Sequence, residues 1–123
     1  MKWSLALVFL CGVARAYTNG NDLRDQCGAA LEKQTGARAG LCVGYINAYR
    51  ELAAMLPESA GIKLCLPAPG VGNEQFIKIV LKYLDQHPEK LHLPAAQLIY
   101  DATDEAFPCH ANASTDKPAS PQK

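Results

Sequence analysis

Cysteine number and spacing constrain the fold of this 123-residue chain more than any other feature. Cys11 lies in an N-terminal apolar run, which leaves four cysteines, at positions 27, 42, 65 and 109. An even number of cysteines in a small exported domain predicts two disulfides. A structural zinc site favours closely spaced pairs such as C-x-x-C, whereas these cysteines are separated by 15, 23 and 44 positions. The spacing therefore favours disulfides and predicts no metal site.

Residues 1 to 16 are typical of a secretory signal peptide. Lys2 precedes an apolar run over residues 5 to 13, and Ala14 and Ala16 supply the small residues of a cleavage site. The run is much shorter than the roughly 20 residues that span a bilayer. We therefore expect the mature chain to begin at Tyr17, to be exported, and not to insert into the membrane.

The charge balance argues against polyanionic partners. The chain has 12 basic and 12 acidic side chains, and removal of Lys2 and Arg15 with the signal peptide leaves 10 against 12, a net charge of −2. No basic run remains. A nucleic acid or an anionic membrane surface is therefore not expected as a partner.

Apolar periodicity predicts four helices and no strand, at residues 21 to 33, 39 to 56, 73 to 86 and 94 to 106. The second helix is the clearest, because its apolar residues recur at spacings of three and four: Cys42, Tyr45, Ile46, Tyr49, Leu52, Ala53 and Leu56. Residues 57 to 73 contain three prolines and three glycines, which indicates a structured loop. The expected fold is a small all-α bundle of about four helices, stapled by disulfides.

The predicted helix ends carry suitable residues. Asn73 is a good N-cap for the third helix, and Glu74 would sit at the positive end of its dipole. Pro94 suits the first turn of the fourth helix. The domain is expected to cover residues 17 to 109, because residues 110 to 123 have no apolar pattern and read as a disordered tail.

These helices distinguish among the three pairings that four cysteines allow. Cys65 precedes the third helix and Cys109 follows the fourth, so an antiparallel hairpin brings both cysteines to the same end. Cys27 and Cys42 flank the short turn between the first two helices. The expected bridges are therefore Cys27–Cys42 and Cys65–Cys109.

The stretch YLDQHPEKLHLPA, residues 83 to 95, raises the question of a chemical site. A metal pair formed by His87 and His92 would need further ligands from the same stretch. Pro88 can end one helix and Pro94 can start the next, and a protonated histidine is favourable at a helix C-terminus. A corner between two helices accounts for these residues without a metal.

No set of residues typical of an active site is present. A bridged cysteine cannot act as a nucleophile, and Ser59, Ser114 and Ser120 have no G-x-S-x-G context. Gly70 and Gly72 lack the following Gly-Lys of a phosphate-binding loop. The sequence predicts a protein that is not an enzyme and holds no cofactor.

A series of short motifs carries a family resemblance. Cys42-Val-Gly-Tyr-Ile46 is followed by Leu64-Cys-Leu-Pro67, by His87-Pro-Glu89 and Pro94-Ala-Ala96, and finally by Ala106-Phe-Pro-Cys109. In this order, residues 27 to 109 resemble the Rap/Tai family of periplasmic immunity proteins, which protect bacteria against type VI secretion effectors. The resemblance implies a small helical periplasmic protein that binds a cognate peptidoglycan amidase effector and blocks its active-site cleft. Homodimers occur among such relatives. The alternative is a periplasmic stress chaperone or another small helical binding module.

An inhibitor of this kind benefits from a rigid projection, which loses little entropy on docking. The two segments that could supply one are the loop at 57 to 73 and the turn at 85 to 93. The predicted partner contacts are the polar residues of these segments: Glu58, Asn73, Glu74, Gln86, Glu89 and Lys90.

Overall fold

Four helices form the domain, as the periodicity predicts. The computed structural model describes residues 17 to 67 and 69 to 109; the predicted signal peptide at 1 to 16 and tail at 110 to 123 lie outside the described residues. Its helices are α1 (Gly20–Leu31), α2 (Ala37–Met55), α3 (Asn73–Gln86) and α4 (Ala95–Ala106), and single 3-10 turns occur at Glu58–Ala60 and Pro88–Lys90. The described ranges contain no β-strand, and the fold class is all-α.

The helix starts follow local capping chemistry, with two corrections to the expected caps. The α1 helix begins with a capping box, in which the Asp22 N–H donates to Asn19 Oδ1 at 3.0 Å and the Asn19 N–H donates to Asp22 Oδ2 at 3.3 Å. Asn73 was expected to cap α3, but Gly72 occupies the N-cap and Asn73 is the first helical residue. Pro94 is the N-cap of α4 and not part of its first turn.

The N-terminus of α4 is bonded to the segment that precedes α1. Pro94 has no side-chain oxygen to offer the free N–H groups of the first turn. The Ala95 N–H donates to the Thr18 carbonyl at 2.8 Å instead. Burial raises the pKa of Tyr45 on α2.

The core draws on all four helices. Its largest fully buried side chains include Phe76, Leu23, Ile46, Leu84, Leu98 and Ile99. Burial of such a side chain contributes about 1.5 to 3 kcal/mol. Tyr83 is also part of the core, with only 4% of its surface exposed.

Both predicted disulfides are present. The Cα atoms of Cys27 and Cys42 lie 5.0 Å apart, and those of Cys65 and Cys109 lie 5.1 Å apart. The first bridge joins α1 to α2 and is fully buried. The second closes the open end of the α3–α4 hairpin and holds the segment that precedes α3.

The α3–α4 corner docks on the start of α1. The Gly20 N–H donates to the Leu93 carbonyl at 3.1 Å, and the Asn21 N–H donates to the Leu91 carbonyl at 3.2 Å. A Cβ atom at position 20 would stand 2.5 Å from Leu98 Cδ1 and 2.9 Å from the Cα and O atoms of Leu91. Only glycine permits this approach, so the corner is locked by contacts distant in sequence.

Candidate protein-binding surfaces

Five of the six predicted contact residues lie at the two ends of α3. Asn73 and Glu74 are at its N-terminus, whereas Gln86, Glu89 and Lys90 are at its C-terminus and in the following turn. Glu58 opens the 3-10 turn before the first of these ends, and its side chain lies outside what the structure describes. The 14 residues of α3 separate the two ends by about 20 Å. These five residues therefore do not form one continuous surface.

At the first end, polar side chains are engaged within the domain. Arg50 Nη1 donates to Asn73 Oδ1 at 2.8 Å, and Nη2 donates to the Val71 carbonyl at 2.9 Å. The guanidinium also lies 5.2 Å from the centroid of the Phe76 ring. Glu74 pairs with Lys78 at 2.7 Å, and this hydrogen bond lowers the pKa of Glu74.

At the second end, Lys90 is engaged with the hairpin. Its Nζ donates to the Tyr83 hydroxyl at 2.7 Å, and that hydroxyl donates to Asp101 Oδ2 at 3.4 Å. The bond to Tyr83 raises the pKa of Lys90. Of the three predicted contacts at this end, Gln86 and Glu89 are exposed and Lys90 is half-buried.

His87, at the corner between α3 and α4, contacts residues of both helices. Its Nδ1 lies 3.3 Å from Glu89 Oε1, its Nε2 lies 3.6 Å from Glu105 Oε2, and its ring centroid lies 4.3 Å from that of Tyr83. His92 is exposed on the following turn. In the described ranges, no three His, Cys, Asp or Glu side chains are arranged to hold a metal ion. The position of His87 fits a corner residue.

A groove lies on the side of the first end. It has a volume of about 550 Å³ and runs between the C-terminal half of α2 and residues 62 to 66. Its lining is mainly apolar with a charged rim: Asn47, Arg50, Glu51, Ala53, Ala54, Leu56, Ile62, Lys63, Leu64 and Leu66. The loop at 57 to 73 was expected to project from the domain, but its residues 62 to 66 form one wall of this groove. We call this feature the α2 groove.

The α2 helix also carries exposed apolar side chains that are not part of the groove lining. Leu52 and Met55 are 57% and 82% exposed, and Leu41 near the start of the same helix is 57% exposed. Leu52 was expected in the buried stripe, and that expectation was wrong. The exposure of Leu52 could have been suspected from a second apolar stripe on α2, at positions 41, 45, 48, 52 and 55, whose residues recur at spacings of four and three.

A smaller pocket lies on the other side of Ile62. It measures about 250 Å³ and is lined by Tyr49, Gly61, Ile62, Ala96, Gln97 and Tyr100. The Tyr49 hydroxyl is buried and has no hydrogen-bond partner in the part of the chain that the structure describes. Burial, followed by the charges of Tyr100, Asp101 and Tyr45, raises its pKa to about 12.

The described residues offer no free thiol. All four of their cysteines are in disulfides and are not available as thiol nucleophiles. None of the helices in the described ranges combines the length and the apolar character that crossing a bilayer requires.

Fold and covalent structure together define a class: a small all-helical domain cross-linked by two disulfides, of the type found in oxidising compartments. The family model described as Rap1a immunity proteins matches residues 19 to 109, most of the chain. The chain therefore belongs to the Rap1a immunity protein family, as the motif series predicted. No curated protein and no solved structure matches it.

Proposed function

We propose that this protein is a periplasmic immunity protein that binds a cognate type VI secretion effector, a peptidoglycan amidase, and occludes its active site. Membership of the Rap1a immunity family over residues 19 to 109 carries this proposal. The protein acts by binding, without catalysis or a cofactor, and thereby protects the cell that produces it.

The proposed compartment follows from the leader and the bridges. Residues 1 to 16 direct export and are removed, residues 17 to 109 form the immunity domain, and residues 110 to 123 form a tail. Two disulfides are consistent with an oxidising periplasm. On a chain-entropy model, loops of 15 and 44 residues stabilise the domain by about 3 and about 4 kcal/mol.

The proposed effector contacts are the polar residues of the 57 to 73 loop, the two ends of α3 and the following turn: Glu58, Asn73, Glu74, Gln86, Glu89 and Lys90. Four of them have bonds within the domain: Asn73 with Arg50, Glu74 with Lys78, Glu89 with His87 and Lys90 with Tyr83. Their fixed positions reduce the side-chain entropy lost on binding. A homodimer is the second assembly proposed for the protein, in addition to the effector complex.

Co-expression tests the function directly. The full chain is produced with the effector encoded by the neighbouring gene, which is targeted to the periplasm. We expect growth to be rescued and the two proteins to co-purify. The purified protein should inhibit peptidoglycan cleavage at about one inhibitor molecule per enzyme molecule. A matched version without residues 1 to 16 should remain in the cytoplasm and give no protection. Lysis despite periplasmic accumulation of the full chain would contradict the proposal.

A periplasmic chaperone is the second candidate, because Leu52 and Met55 are exposed apolar residues of the kind that bind unfolded clients. Such a protein would suppress aggregation of unrelated proteins, for instance at low pH, and would not inhibit the effector. Light scattering of an acid-denatured client, with and without the protein, distinguishes the two functions.

A further inference from the structure

We propose that the α2 groove is a docking site for the effector, and that the docked segment carries an aliphatic side chain next to an aspartate or glutamate. This inference rests on the proposed function and identifies the surface and the chemistry of the partner. The aliphatic side chain enters the groove, and the carboxylate binds the guanidinium of Arg50, which is part of the groove lining.

The groove has the size and the lining of a binding pocket. Its volume of about 550 Å³ lies within the range of about 300 to 1,000 Å³ that is usual for ligand-binding pockets. Two alanines on α2, Ala53 and Ala54, have short side chains that leave space between the helix and residues 62 to 66. Larger aliphatic residues complete the apolar part of the lining: Leu56, Ile62, Leu64 and Leu66. An aliphatic side chain of a partner would be removed from water there.

Arg50 supplies a fixed positive charge at the groove. A guanidinium has five N–H donors, and Arg50 directs two of them to Asn73 Oδ1 at 2.8 Å and to the Val71 carbonyl at 2.9 Å. Both acceptors are uncharged. In the part of the chain that the structure describes, no carboxylate forms an ion pair with Arg50. Its charge is therefore available to a partner's carboxylate, with which a guanidinium forms strong, charge-assisted hydrogen bonds.

The other charges of the lining favour an acidic partner over a basic one. Lys63 is a second cation of the lining, although it has an interaction partner of its own. Glu51 is the acidic residue of this lining, and because it follows Arg50 directly in α2, the two side chains do not face each other. A basic side chain in the groove would meet two like charges, which is unfavourable, whereas a carboxylate would be attracted.

Both walls of the groove are held in place before a partner binds. The Cys65–Cys109 bridge anchors residues 62 to 66 to the segment that follows α4. On α2, the two hydrogen bonds of Arg50 and the Phe76 ring, whose centroid lies 5.2 Å from the guanidinium carbon, fix the position of the positive charge. Because the site is formed in advance, little conformational entropy is lost on docking.

Two alanines on α2 provide a matched test of the groove. Ala54 and Ala48 are both exposed, but Ala54 lines the groove and Ala48 does not. Ala54→Phe fills space that the docked side chain needs and should weaken binding of the purified effector by about 100-fold, and Ala48→Phe by no more than about twofold. Calorimetry with the disulfide-bonded variants measures the affinity, and circular dichroism confirms that each variant is folded.

Substitutions of Arg50 test the charge. Arg50→Gln should weaken binding by about tenfold, and Arg50→Lys, which keeps the charge, by only about threefold. The control is Arg38→Gln at the start of the same helix and outside the groove, which should weaken binding by no more than about twofold. Added salt should weaken binding of the wild type more than binding of Arg50→Gln, a difference that the loss of a purely structural contact would not produce. Glu51→Gln should bind at least as tightly as the wild type.

The outcomes separate this inference from the proposed function. Wild-type binding with unchanged affinity in Ala54→Phe and Arg50→Gln would overturn the inference and leave the proposed function standing. A loss of about tenfold in Glu51→Gln would indicate a basic occupant and would also overturn the inference. If Ala54→Phe altered the molar mass in solution without affecting effector binding, the occupant would be a second copy of this chain and not the effector. Absence of wild-type binding would overturn the proposed function and this inference together.

Discussion

Gly20→Ala should destabilise the domain strongly, because position 20 is where the α3–α4 corner meets α1. The added Cβ would stand 2.9 Å from the Cα and O atoms of Leu91, and 2.5 Å from Leu98 Cδ1. A leucine methyl can rotate away, but the Leu91 backbone cannot. The corner must therefore move away from α1.

The magnitude follows from what that movement disturbs. Overpacking by one methyl group costs about 1 to 3 kcal/mol. The hydrogen bonds from the Gly20 and Asn21 N–H groups to Leu93 and Leu91 would lengthen, and each is worth about 1 kcal/mol. Alanine returns at most about 1 kcal/mol through its helix propensity, and less at a first helical position. We expect a net loss of about 2 to 4 kcal/mol, or a fall in Tm of about 10 °C or more.

Gly28→Ala is the matched control. Gly28 lies in the interior of the same helix, and a Cβ there would meet nothing within 4 Å. The same substitution should therefore stabilise the protein by about 0.5 to 1 kcal/mol through the gain in helix propensity. The two variants are predicted to shift stability in opposite directions.

Urea unfolding of the disulfide-bonded chain, followed by circular dichroism, measures both changes. The reasoning is refuted if Gly20→Ala is as stable as the wild type, or if it shifts the midpoint in the same direction as Gly28→Ala. Either result would mean that the Leu91 backbone does not lie against α1.

Three further predictions concern other groups. Tyr49→Phe should leave stability at pH 7 unchanged or raise it by up to about 1 kcal/mol, because it removes a buried hydroxyl without a partner among the described residues. The pKa of Tyr49 is raised from 10.0 to about 12, so the wild type should lose stability between pH 10 and 12, and urea midpoints should show a smaller loss in the variant. Dithiothreitol should reduce the half-buried Cys65–Cys109 bridge before the fully buried Cys27–Cys42 bridge. Alkylation followed by mass spectrometry measures the order of reduction, and the reverse order would contradict this prediction. Arg50→Lys should lower the free energy of unfolding by about 1 to 2 kcal/mol, because lysine cannot form both hydrogen bonds that Arg50 donates to Asn73 and to the Val71 carbonyl. An unchanged urea midpoint would contradict this prediction.

Local patterns were sufficient for the helices and for the cysteine pairing. Cys65 and Cys109 flank a helical hairpin, and the geometry of such a hairpin brings its open ends together. Caps were less predictable, since a side chain suited to capping can be used elsewhere. Asn73 accepts a hydrogen bond from Arg50, 23 residues earlier, and does not cap α3.

The candidate binding surface was only partly predictable. The sequence pattern indicated the segments 57 to 73 and 85 to 93. It did not indicate that the first segment forms a groove wall or that the second docks on α1. The exposure of Leu52 was missed because helical periodicity does not report whether a neighbouring element covers a residue.

The sequence by itself determined the all-α class, the number of helices, the two bridges and the family, because these depend on spacing along the chain and on side-chain chemistry. Only the tertiary structure decided which face of α2 is covered. Cys42 and Ile46 are buried, while Leu52, at a comparable helical spacing, stays exposed. The physical reason is that α2 has apolar residues on two faces, and burial is assigned by packing against residues that are distant in sequence.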